Sequence, residues 1–358
     1  MKSSDISNDL QQQVQQAITD GTPLNICAGN SKTFLGRDPA GESTGQAFDV
    51  SEHCGIINYD PRELVLTARA GTLMSEIEST LAESGQMLAF EPPHFGSTAT
   101  LGGTIASGLS GSRRPFSGSV RDFTLGCKVL NGSGEILNFG GQVMKNVAGY
   151  DLSRLMVGAY GTLGVLLDIS LKVLPRPASS ETLKFECNPE QAIARMSALL
   201  SQPYPVDAAC FHGERLHLRL SGSAQAVKHA QLQLGGEVMP DSVEFWRTLN
   251  EHELSIFNTA TTLYRIMVKP ATPPLNIDGK WLFGWAGAQR WLASNAPVET
   301  IREQVAKVGG HVTQFRGGDR NGEIFSPLAP ALIPFHQRLK ASFDPHGLFN
   351  RGRMYAEI

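Results

Sequence analysis

Three segments rich in small residues are the parts of this sequence best suited to hold a ligand through backbone groups. They read AGNSK (28–32), STATLGGTIASGLSGSRR (97–114) and GAYGTLG (158–164). A turn of small residues after a strand directs several backbone N–H groups to one point and forms a nest for an anion. Two such turns on one groove would suit a diphosphate that joins two nucleoside-like halves, which is what a dinucleotide cofactor requires.

The middle segment contains four glycines, although glycine loses more backbone freedom on folding than any other residue. Such a run is a flexible linker, tightly packed backbone, or backbone that approaches a ligand closely. Leu101, Ile105 and Leu109 recur at every fourth position, which is the apolar stripe of a helix and disfavours a linker. We therefore expect a helix here, whose N-terminus and dipole would add to an anion site.

Sequence motifs for the commoner nucleotide sites and hydrolases are absent. No GxGxxG follows the first predicted strand, so a Rossmann dinucleotide site is not supported, and no GxxxxGK[ST] indicates a P-loop. The serine-nucleophile motif GxSxG and the zinc motif HExxH are missing as well. A dinucleotide would therefore have to be held without a Rossmann fingerprint.

The bulk composition indicates an ordinary globular protein. The 358 residues are 41% hydrophobic and 18% charged, with a net charge of -3, whereas nucleic-acid binding requires a concentrated basic face. The five cysteines are far apart and form no CxxC pair, so we expect neither a metal site nor an iron–sulfur cluster. Their odd number suits a reducing compartment.

No segment reads as a targeting or membrane-spanning sequence. The N-terminal MKSSDISNDLQQQVQQ is too polar for a signal peptide. The longest apolar stretch, residues 155–174, carries Asp168, Lys172 and three glycines, which favours buried strand and turn over a membrane span. We therefore expect a soluble, cytoplasmic protein.

Hydrophobic periodicity predicts a first half that mixes helices and short strands. Thr72 is the expected N-cap of one helix and Gly85 its expected stop, while NGSG at 131–134 is a hairpin turn signal. The predicted helices cover 6–19, 72–85, the middle segment and 150–157, and the predicted strands cover 24–29, 46–50, 55–59, 63–68, 122–131, 135–140 and 162–174.

A proline-rich break at 175–178 is the expected domain boundary. Beyond it the pattern reads strand, helix, strand, strand, helix over residues 182–236, and a looser echo follows up to HVTQFR (311–316). Two ferredoxin-like units that share one antiparallel sheet backed by helices fit this order. The tail predicts a helix and then an irregular segment.

Four segments, in this order, resemble the FAD-binding domain of the vanillyl-alcohol-oxidase-type flavoproteins (the PCMH-type domain). AGNSK stands where that family has its pyrophosphate turn, and TLGGTIASG is similar to its second flavin-contacting loop and helix. GYDLSRLMVGAYGTLGV is similar to the GYDL…GSEGTLGV block beside the isoalloxazine ring, and FDPHGLFNRGRM to the FDP…FNPGR tail. Within the family, FGGQVMKNVAGYDLSRLMVGAYGTLG and SGSVRDFTLG are similar to blocks of the FAD-binding E subunits of glycolate oxidases.

The resemblance implies an α+β fold in which FAD lies in a cleft between two domains. The expected FAD domain has two parts, residues 1–177 and 341–358, and residues 178–340 would form a smaller ferredoxin-like cap domain. The pyrophosphate turn lacks the histidine that some members link to the flavin, so we expect non-covalent FAD.

The expected FAD-binding residues come from the matching segments. Thr100 and Ser107 offer hydroxyls to phosphate or ribityl oxygens. Close packing of helix on strand is the other explanation for Gly102, Gly103 and Ser107, and the two explanations are compatible. Arg113 and Arg114 either neutralise phosphate or face solvent, and Asp122 either caps a turn or reaches the flavin. The full set is Ala28, Gly29, Asn30, Ser31, Lys32, Pro92, Thr100, Gly102, Gly103, Thr104, Ser107, Arg113, Asp122, Gly161, Val165 and Asn350.

Three departures from the family pattern bear on function. Ala159 and Tyr160 replace the Ser and Glu of GSEGTLG, so a contact made by that Glu is not carried over, and Arg351 replaces a proline in the tail. Members that themselves oxidise 2-hydroxy acids carry an HxGDGNxH-like stretch, of which GGDRNGE (317–323) is a loose echo without flanking histidines. We therefore expect this chain to support a partner's chemistry or to pass electrons rather than to bind glycolate itself.

No catalytic residue is assigned from the sequence. Oxidation of a 2-hydroxy acid needs a cation for the carboxylate, a base near the hydroxyl and the flavin N5 against the α-carbon. Candidates in the predicted cap and tail, for each of which a surface or structural role is the commoner one, are Arg290, Arg316, His336 and His346. An aromatic set either walls a pocket or forms the cap core: Trp281, Phe283, Trp285 and Trp291.

The leading interpretation is the FAD-binding subunit of a glycolate oxidase complex that oxidises glycolate to glyoxylate. The resemblance implies two partners, a second flavoprotein subunit and an iron–sulfur subunit, through which any membrane association would come. Two other interpretations stay open: a stand-alone FAD-dependent oxidoreductase of another small 2-hydroxy acid or alcohol, and a scaffold subunit that binds no flavin.

Overall fold

The computed structural model describes residues 3–38, 45–141, 151–259 and 261–357. Residues 142–150, which belong to one of the segments that carry the family resemblance, lie outside the described residues, as does the start of the helix expected at 150–157.

The helices in chain order are α1 (Ser7–Asp20), α2 (Met74–Glu83), α3 (Leu101–Ser107), α4 (Arg114–Ser117), α5 (Val120–Phe123), α6 (Leu152–Leu155), α7 (Pro189–Leu199), α8 (Ala224–Leu234), α9 (Ser242–Asn250), α10 (Val298–Lys307) and α11 (Ile333–Phe343). The strands are β1 (Leu24–Cys27), β2 (Gln46–Asp49), β3 (Ile56–Asp60), β4 (Val65–Arg69), β5 (Gln86–Met87), β6 (Thr124–Leu130), β7 (Ile136–Gly140), β8 (Val165–Lys172), β9 (Leu174–Pro175), β10 (Ser179–Glu186), β11 (Val206–His212), β12 (Arg215–Gly222), β13 (Glu237–Val238), β14 (Thr262–Met267), β15 (Lys280–Gly284), β16 (Gln289–Ser294) and β17 (His311–Arg316).

The first half of the chain is built around a five-stranded antiparallel sheet with the order β3-β4-β8-β6-β7. Its central strand β8 reads VLLDISLK, and successive side chains enter opposite cores: Leu166 packs with Met74 and Ile105 of α2 and α3, whereas Leu167 packs with α1. Coverage on both faces explains why the strand is apolar along most of its length. Beside this sheet, β1 and β2 form a parallel pair and β5 pairs with β9.

The second half forms one antiparallel sheet of eight strands, in the order β13-β10-β12-β11-β15-β16-β14-β17. β10, α7, β11, β12 and α8 follow the expected β-α-β-β-α order, and a second unit supplies β14–β17 with α10. The two units join edge to edge where Phe211 of β11 pairs with Phe283 of β15. The α+β class is thus confirmed, although the periodicity predicts neither β16 nor α9.

The expected N-cap at Thr72 is wrong. Helix α2 begins at Met74 after Leu73, and no side chain caps it. The Thr72 hydroxyl instead accepts a hydrogen bond at 2.9 Å from the N–H group of Gly55, which lies 17 positions earlier in the chain. The local sequence pattern predicts that the Thr72 hydroxyl caps the N-terminus of α2, but this long-range hydrogen bond engages the hydroxyl instead.

Two other boundaries differ from expectation. Residues 122 and 123, which we expected to be strand, belong to the short helix α5. A capping box formed by Ser119 and Asp122 stabilises the N-terminus of this helix. Helix α3 ends at Ser107 because Gly108 adopts a left-handed φ of 65°. Leu109 therefore lies beyond the helix and packs in a different core cluster from Leu101.

The C-terminal segment returns to the first half of the chain around a buried ion pair. Lys340 of α11 and Asp344 are 9% and 1% exposed, and their charged atoms lie 2.7 Å apart. The Lys340 ammonium also donates to the carbonyl oxygens of Thr162 at 2.6 Å and Phe349 at 2.9 Å. The Asp344 carboxylate accepts hydrogen bonds from the N–H groups of Leu348 and Phe349. One network therefore joins α11, the loop before β8 and the tail.

Asp344→Asn should lower the free energy of unfolding by about 3–5 kcal/mol, because the Lys340 ammonium would stay buried without its counter-charge. Chemical denaturation of the purified full chain measures this change. The control is Asp9→Asn at an exposed position of α1, which should alter stability by no more than about 0.5 kcal/mol. A loss below about 1 kcal/mol for Asp344→Asn would contradict a structural role for the charge pair.

Candidate functional site

A cleft of about 1010 Å³, open to solvent, lies between the turn after β1, helix α3, the loop before β8 and the C-terminal tail. The lining consists mostly of small residues and backbone: residues 25–33, Leu35, Val50, Ala70, Thr100, Gly102, Gly103, Ala106, Ser107, Tyr160, Gly161, residues 164–166, Asn350 and Arg353. The fold thus brings the three small-residue segments to one place.

The turn after β1 presents backbone N–H groups. Asn30 has a left-handed φ of 55°, and within the described chain no hydrogen bond engages the N–H groups of Gly29, Asn30 and Ser31. Gly29 is required by the neighbouring loop, because a Cβ at this position would lie 1.5 Å from the Thr98 carbonyl oxygen. The turn therefore offers the free donors that an anion nest needs.

Lys32 brings an ammonium group to the same turn. Its Nζ donates to the carbonyl oxygen of His94 at 3.1 Å, and no salt bridge joins it to a carboxylate of the described residues. Burial lowers the pKa of Lys32 to about 8, and the more distant Glu251 carboxylate opposes this shift only in part. A cation that no carboxylate of the described chain neutralises is suited to an anionic ligand.

Two neighbouring glycines of α3 have different reasons to be glycine. A Cβ on Gly102 would lie 2.8 Å from the Ala70 Cβ, so Gly102 allows the helix to pack against the residue that follows β4. A Cβ on Gly103 would meet the Thr100 hydroxyl at 3.3 Å and no other atom within 4 Å. Because Gly103 lines the cleft, its missing side chain keeps ligand space open.

The N-terminus of α3 does not form the anion site expected from the sequence. The first three N–H groups of the helix donate to oxygen atoms of Thr72, Ala70 and Thr100, at 2.9, 2.7 and 3.3 Å. The helix is also only 7 residues long. Because the first three N–H groups of α3 already donate to protein oxygen atoms, they are not free to bind a phosphate.

Asn350 of the tail holds the wall opposite the turn. Its side-chain oxygen accepts a hydrogen bond from the Ile26 N–H at 2.8 Å, and its side-chain nitrogen donates to the Tyr160 carbonyl oxygen at 2.7 Å. A Cβ on Gly161 would lie 2.6 Å from that nitrogen. The Asn350 amide thus joins β1 to the loop before β8, and the residue shapes the cleft rather than offering free donors to a ligand.

Three arginines lie close enough to the Tyr160 phenol to affect its pKa. Burial raises the pKa of Tyr160, and the charges of Arg265, Arg353 and Arg320 oppose that shift. Arg353 lines the cleft and donates to the Thr33 carbonyl oxygen at 2.6 Å. None of these arginines is among the expected site residues; the tail motif FNRGRM is the local signal that could have identified Arg353.

Most of the expected cofactor-binding residues lie in the cleft lining, namely Ala28, Gly29, Asn30, Ser31, Lys32, Thr100, Gly102, Gly103, Ser107, Gly161, Val165 and Asn350. Thr104 is fully buried beneath it, and its hydroxyl has no partner among the described residues. The Asp122 carboxylate accepts hydrogen bonds from the backbone and hydroxyl of Ser119, so it caps a turn. Pro92 and Arg113 border a separate groove.

Arg113 holds the two halves of the molecule together. Its Nη1 lies 2.6 Å from the Asp207 carboxylate and its Nε lies 3.2 Å from Glu91. Arg219 lies 2.7 Å from each of the same two carboxylates. These four side chains form an ion-pair network of alternating charge across the boundary between the two halves. Because the charge of Arg113 is neutralised within this network, Arg113 does not belong to the cofactor cleft.

Arg290, a candidate for substrate binding, has a structural role. It is fully buried and donates to the backbone carbonyl oxygens of Gly287 at 3.2 Å, Pro273 at 2.8 Å and Thr272. Burial lowers the pKa of Arg290 to about 10. Its guanidinium thus holds the loop before β15 through hydrogen bonds to that loop's backbone.

The other catalytic candidates lie outside the cleft. Arg316 is half-buried over the Phe34 ring at 4.6 Å, His336 is half-buried on α11, and His346 is exposed in the tail. The aromatic set divides: Trp285 and Trp291 line a second cavity, whereas Trp281 and Phe283 pack in the core of the second half.

Neither a metal centre nor a membrane span is visible in residues 3–38, 45–141, 151–259 and 261–357. Those residues contain no group of three or more His, Cys, Asp or Glu side chains able to hold a metal ion. None of their helices combines the length and the apolar character that crossing a bilayer requires.

Comparisons with known proteins agree with this geometry. Residues 6–140 match the family described as FAD binding domain. Over 358 residues, which are 100% of both chains, the sequence is 49% identical to the glycolate oxidase subunit GlcE of Escherichia coli (strain K12). It is 32% identical over 165 residues to the glycolate oxidase subunit GlcD of Bacillus subtilis (strain 168), covering 46% of this chain and 33% of that protein. A solved alkyldihydroxyacetonephosphate synthase shares the fold, with a TM-score of 0.66 over 97% of this chain and 75% of that one at 13% identity.

The residues of the cleft fit the cofactor that the domain match implies. The free N–H groups of the 28–32 turn, with Lys32 and Arg353, suit a diphosphate. The space kept open at Gly103 leaves room for the remainder of a dinucleotide. The expected cofactor, FAD, is confirmed by the domain match.

Gly103→Val should weaken FAD binding at least about tenfold, because the new side chain enters the cleft rather than the core. FAD titration of the apoprotein, followed by flavin fluorescence, measures the affinity. Stability should stay within about 1 kcal/mol of the parent, since a Cβ at this position meets little protein. Ala82→Val, at an exposed position of α2, controls for valine in a helix. Unchanged flavin content in folded Gly103→Val protein would refute the close approach.

FAD affinity should be constant below pH 8 and fall above it, by up to about tenfold per pH unit. The pKa of Lys32 is about 8 without ligand, and a bound diphosphate would favour the charged ammonium, so binding above pH 8 must take up a proton. Titrations between pH 7 and 9 test this. Lys32→Met should bind more weakly and lose the pH dependence, whereas Lys228→Met, exposed on α8, should keep it. A flat profile for the parent chain would exclude Lys32 from the anion site.

Proposed function

Because the chain belongs to the family of the glycolate oxidase subunit GlcE, we propose that it is the FAD-binding subunit of a glycolate oxidase complex, an oxidoreductase that converts glycolate to glyoxylate. The observation that carries the proposal is 49% identity over the full length of both chains, which extends beyond the matched FAD-binding region. A shared FAD domain alone would be compatible with many activities.

FAD, when bound, supplies a two-electron acceptor for the oxidation of a CH–OH group. The residues that would hold its diphosphate are those of the 28–32 turn with Arg353, and Gly103, Ser107, Gly161 and Val165 would line its remaining length. We propose that the binding is non-covalent. Among the described residues that line the cleft there is no histidine, and burial together with the Asp49 carboxylate raises the pKa of the Cys27 thiol, which disfavours a nucleophilic thiolate.

The chain's role in the complex would be to carry electrons or to support a partner rather than to turn over glycolate. The segment GGDRNGE, which occupies the place of a histidine-bearing stretch, has its polar groups engaged elsewhere. Gln314 donates to the carbonyl oxygens of Gly317 and Asp319, and Arg320 donates to the carbonyl oxygen of Gly36. Arg320 thus joins this segment to the first half of the chain, and the segment contains no histidine that could act as a base toward a substrate hydroxyl.

The domain division that we propose is a two-part FAD domain, residues 1–177 with 341–358, and a cap domain, residues 178–340. Its support is that the eight-stranded sheet begins at Ser179, and that Phe343 and Phe349 pack in cores of the first half. The proposed partners are a second flavoprotein subunit and an iron–sulfur subunit, since the five cysteines here form no cluster-binding motif. The proposed location is the cytoplasm, with any membrane contact through the partners.

Glycolate should leave the flavin of the purified, FAD-loaded chain oxidised, and addition of the partner subunits should restore bleaching. Anaerobic absorbance in the flavin bands, with and without partners recovered by co-purification with a tagged chain, measures both results. Rapid bleaching of the lone chain by glycolate would instead identify a stand-alone oxidoreductase. A chain that retains no FAD at all would identify a scaffold subunit.

A further inference from the structure

A surface formed by residues 326–337, which lead into α11 and include its first turn, has no part in the proposed function. Its sequence, SPLAPALIPFHQ, contains no Asp, Glu, Lys or Arg, although 18% of the chain is charged. Leu332 and Phe335 are large apolar residues that are 47% and 60% exposed. Leu328 and, from the C-terminal tail, Tyr355 line the same groove of about 510 Å³. Exposed apolar side chains grouped in this way are typical of a protein–protein interface.

Three prolines lower the free-energy cost of covering the 326–337 surface, namely Pro327, Pro330 and Pro334. Proline has no backbone N–H and a nearly fixed φ, so the segment has fewer donors to desolvate and less conformational freedom to lose on binding. The Leu332 N–H is already engaged, since it donates to the Ala329 carbonyl oxygen at 2.8 Å. Because the prolines interrupt any ladder of N–H donors, a partner would contact the side chains rather than add a strand.

A chain of aromatic rings connects the 326–337 surface to the FAD cleft. Tyr160 lines the cleft, and its ring centroid lies 5.7 Å from that of Phe325. The Phe325 ring in turn lies 5.8 Å from the ring of Tyr355, which lines the groove. These are contact distances for edge-on and tilted aromatic pairs. The backbone makes the same connection, because Arg353 lines the cleft two residues before Tyr355. Packed protein atoms therefore lead from the cofactor site to this surface.

Other exposed apolar side chains lie in charged surroundings. Leu232 of α8 and Val243 of α9 are 71% and 84% exposed. Lys228 precedes Leu232 by four positions on its helix, and Arg247 follows Val243 by four positions, so each apolar residue has a charged neighbour on the same face. Single apolar residues of this kind are ordinary on protein surfaces. The 326–337 surface differs from them because its apolar residues are contiguous and uncharged.

The occupant that these features favour is a permanent subunit that accepts electrons. Depletion of charged residues is typical of the core of an obligate interface, whereas transient contacts are more polar. The aromatic chain starts at the cofactor cleft, so a protein bound at its outer end would lie close to the flavin. The five cysteines of this chain form no cluster-binding motif, so an iron–sulfur centre that receives the electrons would belong to another chain.

We propose that the 326–337 surface is the docking site of the iron–sulfur subunit of the complex and that electrons leave the FAD cleft on this side. The inference rests on the proposed function. Oxidation of glycolate to glyoxylate breaks one C–H and one O–H bond and releases two electrons and two protons. An iron–sulfur centre accepts one electron at a time, so two transfers complete each oxidation, and the two protons pass to water.

The test is co-expression of the tagged full chain with the other subunits of its complex, followed by affinity purification. Iron and acid-labile sulfide per tagged chain measure the bound iron–sulfur subunit. Leu332→Asp and Phe335→Asp should each lower this ratio at least tenfold, because an unpaired carboxylate is strongly disfavoured in an apolar interface. Phe335→Leu should retain the iron. Leu232→Asp, at an exposed apolar position of α8, is the matched control and should retain as much iron as the parent.

FAD content and thermal unfolding of the lone chain separate this proposal from the proposed function. Both aspartate variants should keep their FAD and unfold within about 2 °C of the parent, because the replaced side chains are exposed. Iron retained by both variants, or no iron recovered with an FAD-loaded parent, would overturn the docking site. Loss of only the second flavoprotein subunit, or self-association of the parent that Phe335→Asp abolishes, would also overturn it by identifying another occupant. Absence of FAD from the parent would instead count against the proposed function.

Discussion

The buried pair of Lys340 and Asp344 is the interaction on which the cofactor cleft depends. A buried ammonium and carboxylate are tolerated only when their remaining hydrogen-bonding capacity is satisfied, and here backbone groups of Thr162, Leu348 and Phe349 provide it. The pair therefore fixes the last residues of the chain against its first half. Since Asn350 follows directly, the same pair positions the residue that joins β1 to the loop before β8.

Arginine has three distinct roles along the boundary between the two halves. Where the guanidinium faces carboxylates, as Arg113 and Arg219 do, it forms an alternating ion-pair network across the boundary. Where it faces loops, as Arg320 and Arg353 do, it donates to backbone carbonyl oxygens that would otherwise lack partners. Arg265 alone among these five has neither type of partner in the described chain.

The sequence predicts a large share of the fold and part of the site, and the failures have physical causes. The β-α-β-β-α order after Ser179 and the hairpin at NGSG are local patterns, and the structure has both. The 28–32 turn is predicted by its small residues because a nest is a property of consecutive backbone groups. The expected N-cap at Thr72 is wrong because the Thr72 hydroxyl accepts a hydrogen bond from Gly55, 17 positions away in the chain.

The sequence by itself determined the α+β class, the match to an FAD-binding domain and the turn that offers N–H donors, since each depends on residues close together in the chain. Only the tertiary structure decided that Gly102 packs against Ala70 whereas Gly103 faces open space. Only the tertiary structure showed that Arg113 is neutralised and Arg265 is not. The reason is that the environment of a side chain is set by neighbours from distant segments, and no local pattern of residue types records which of them lie opposite one another.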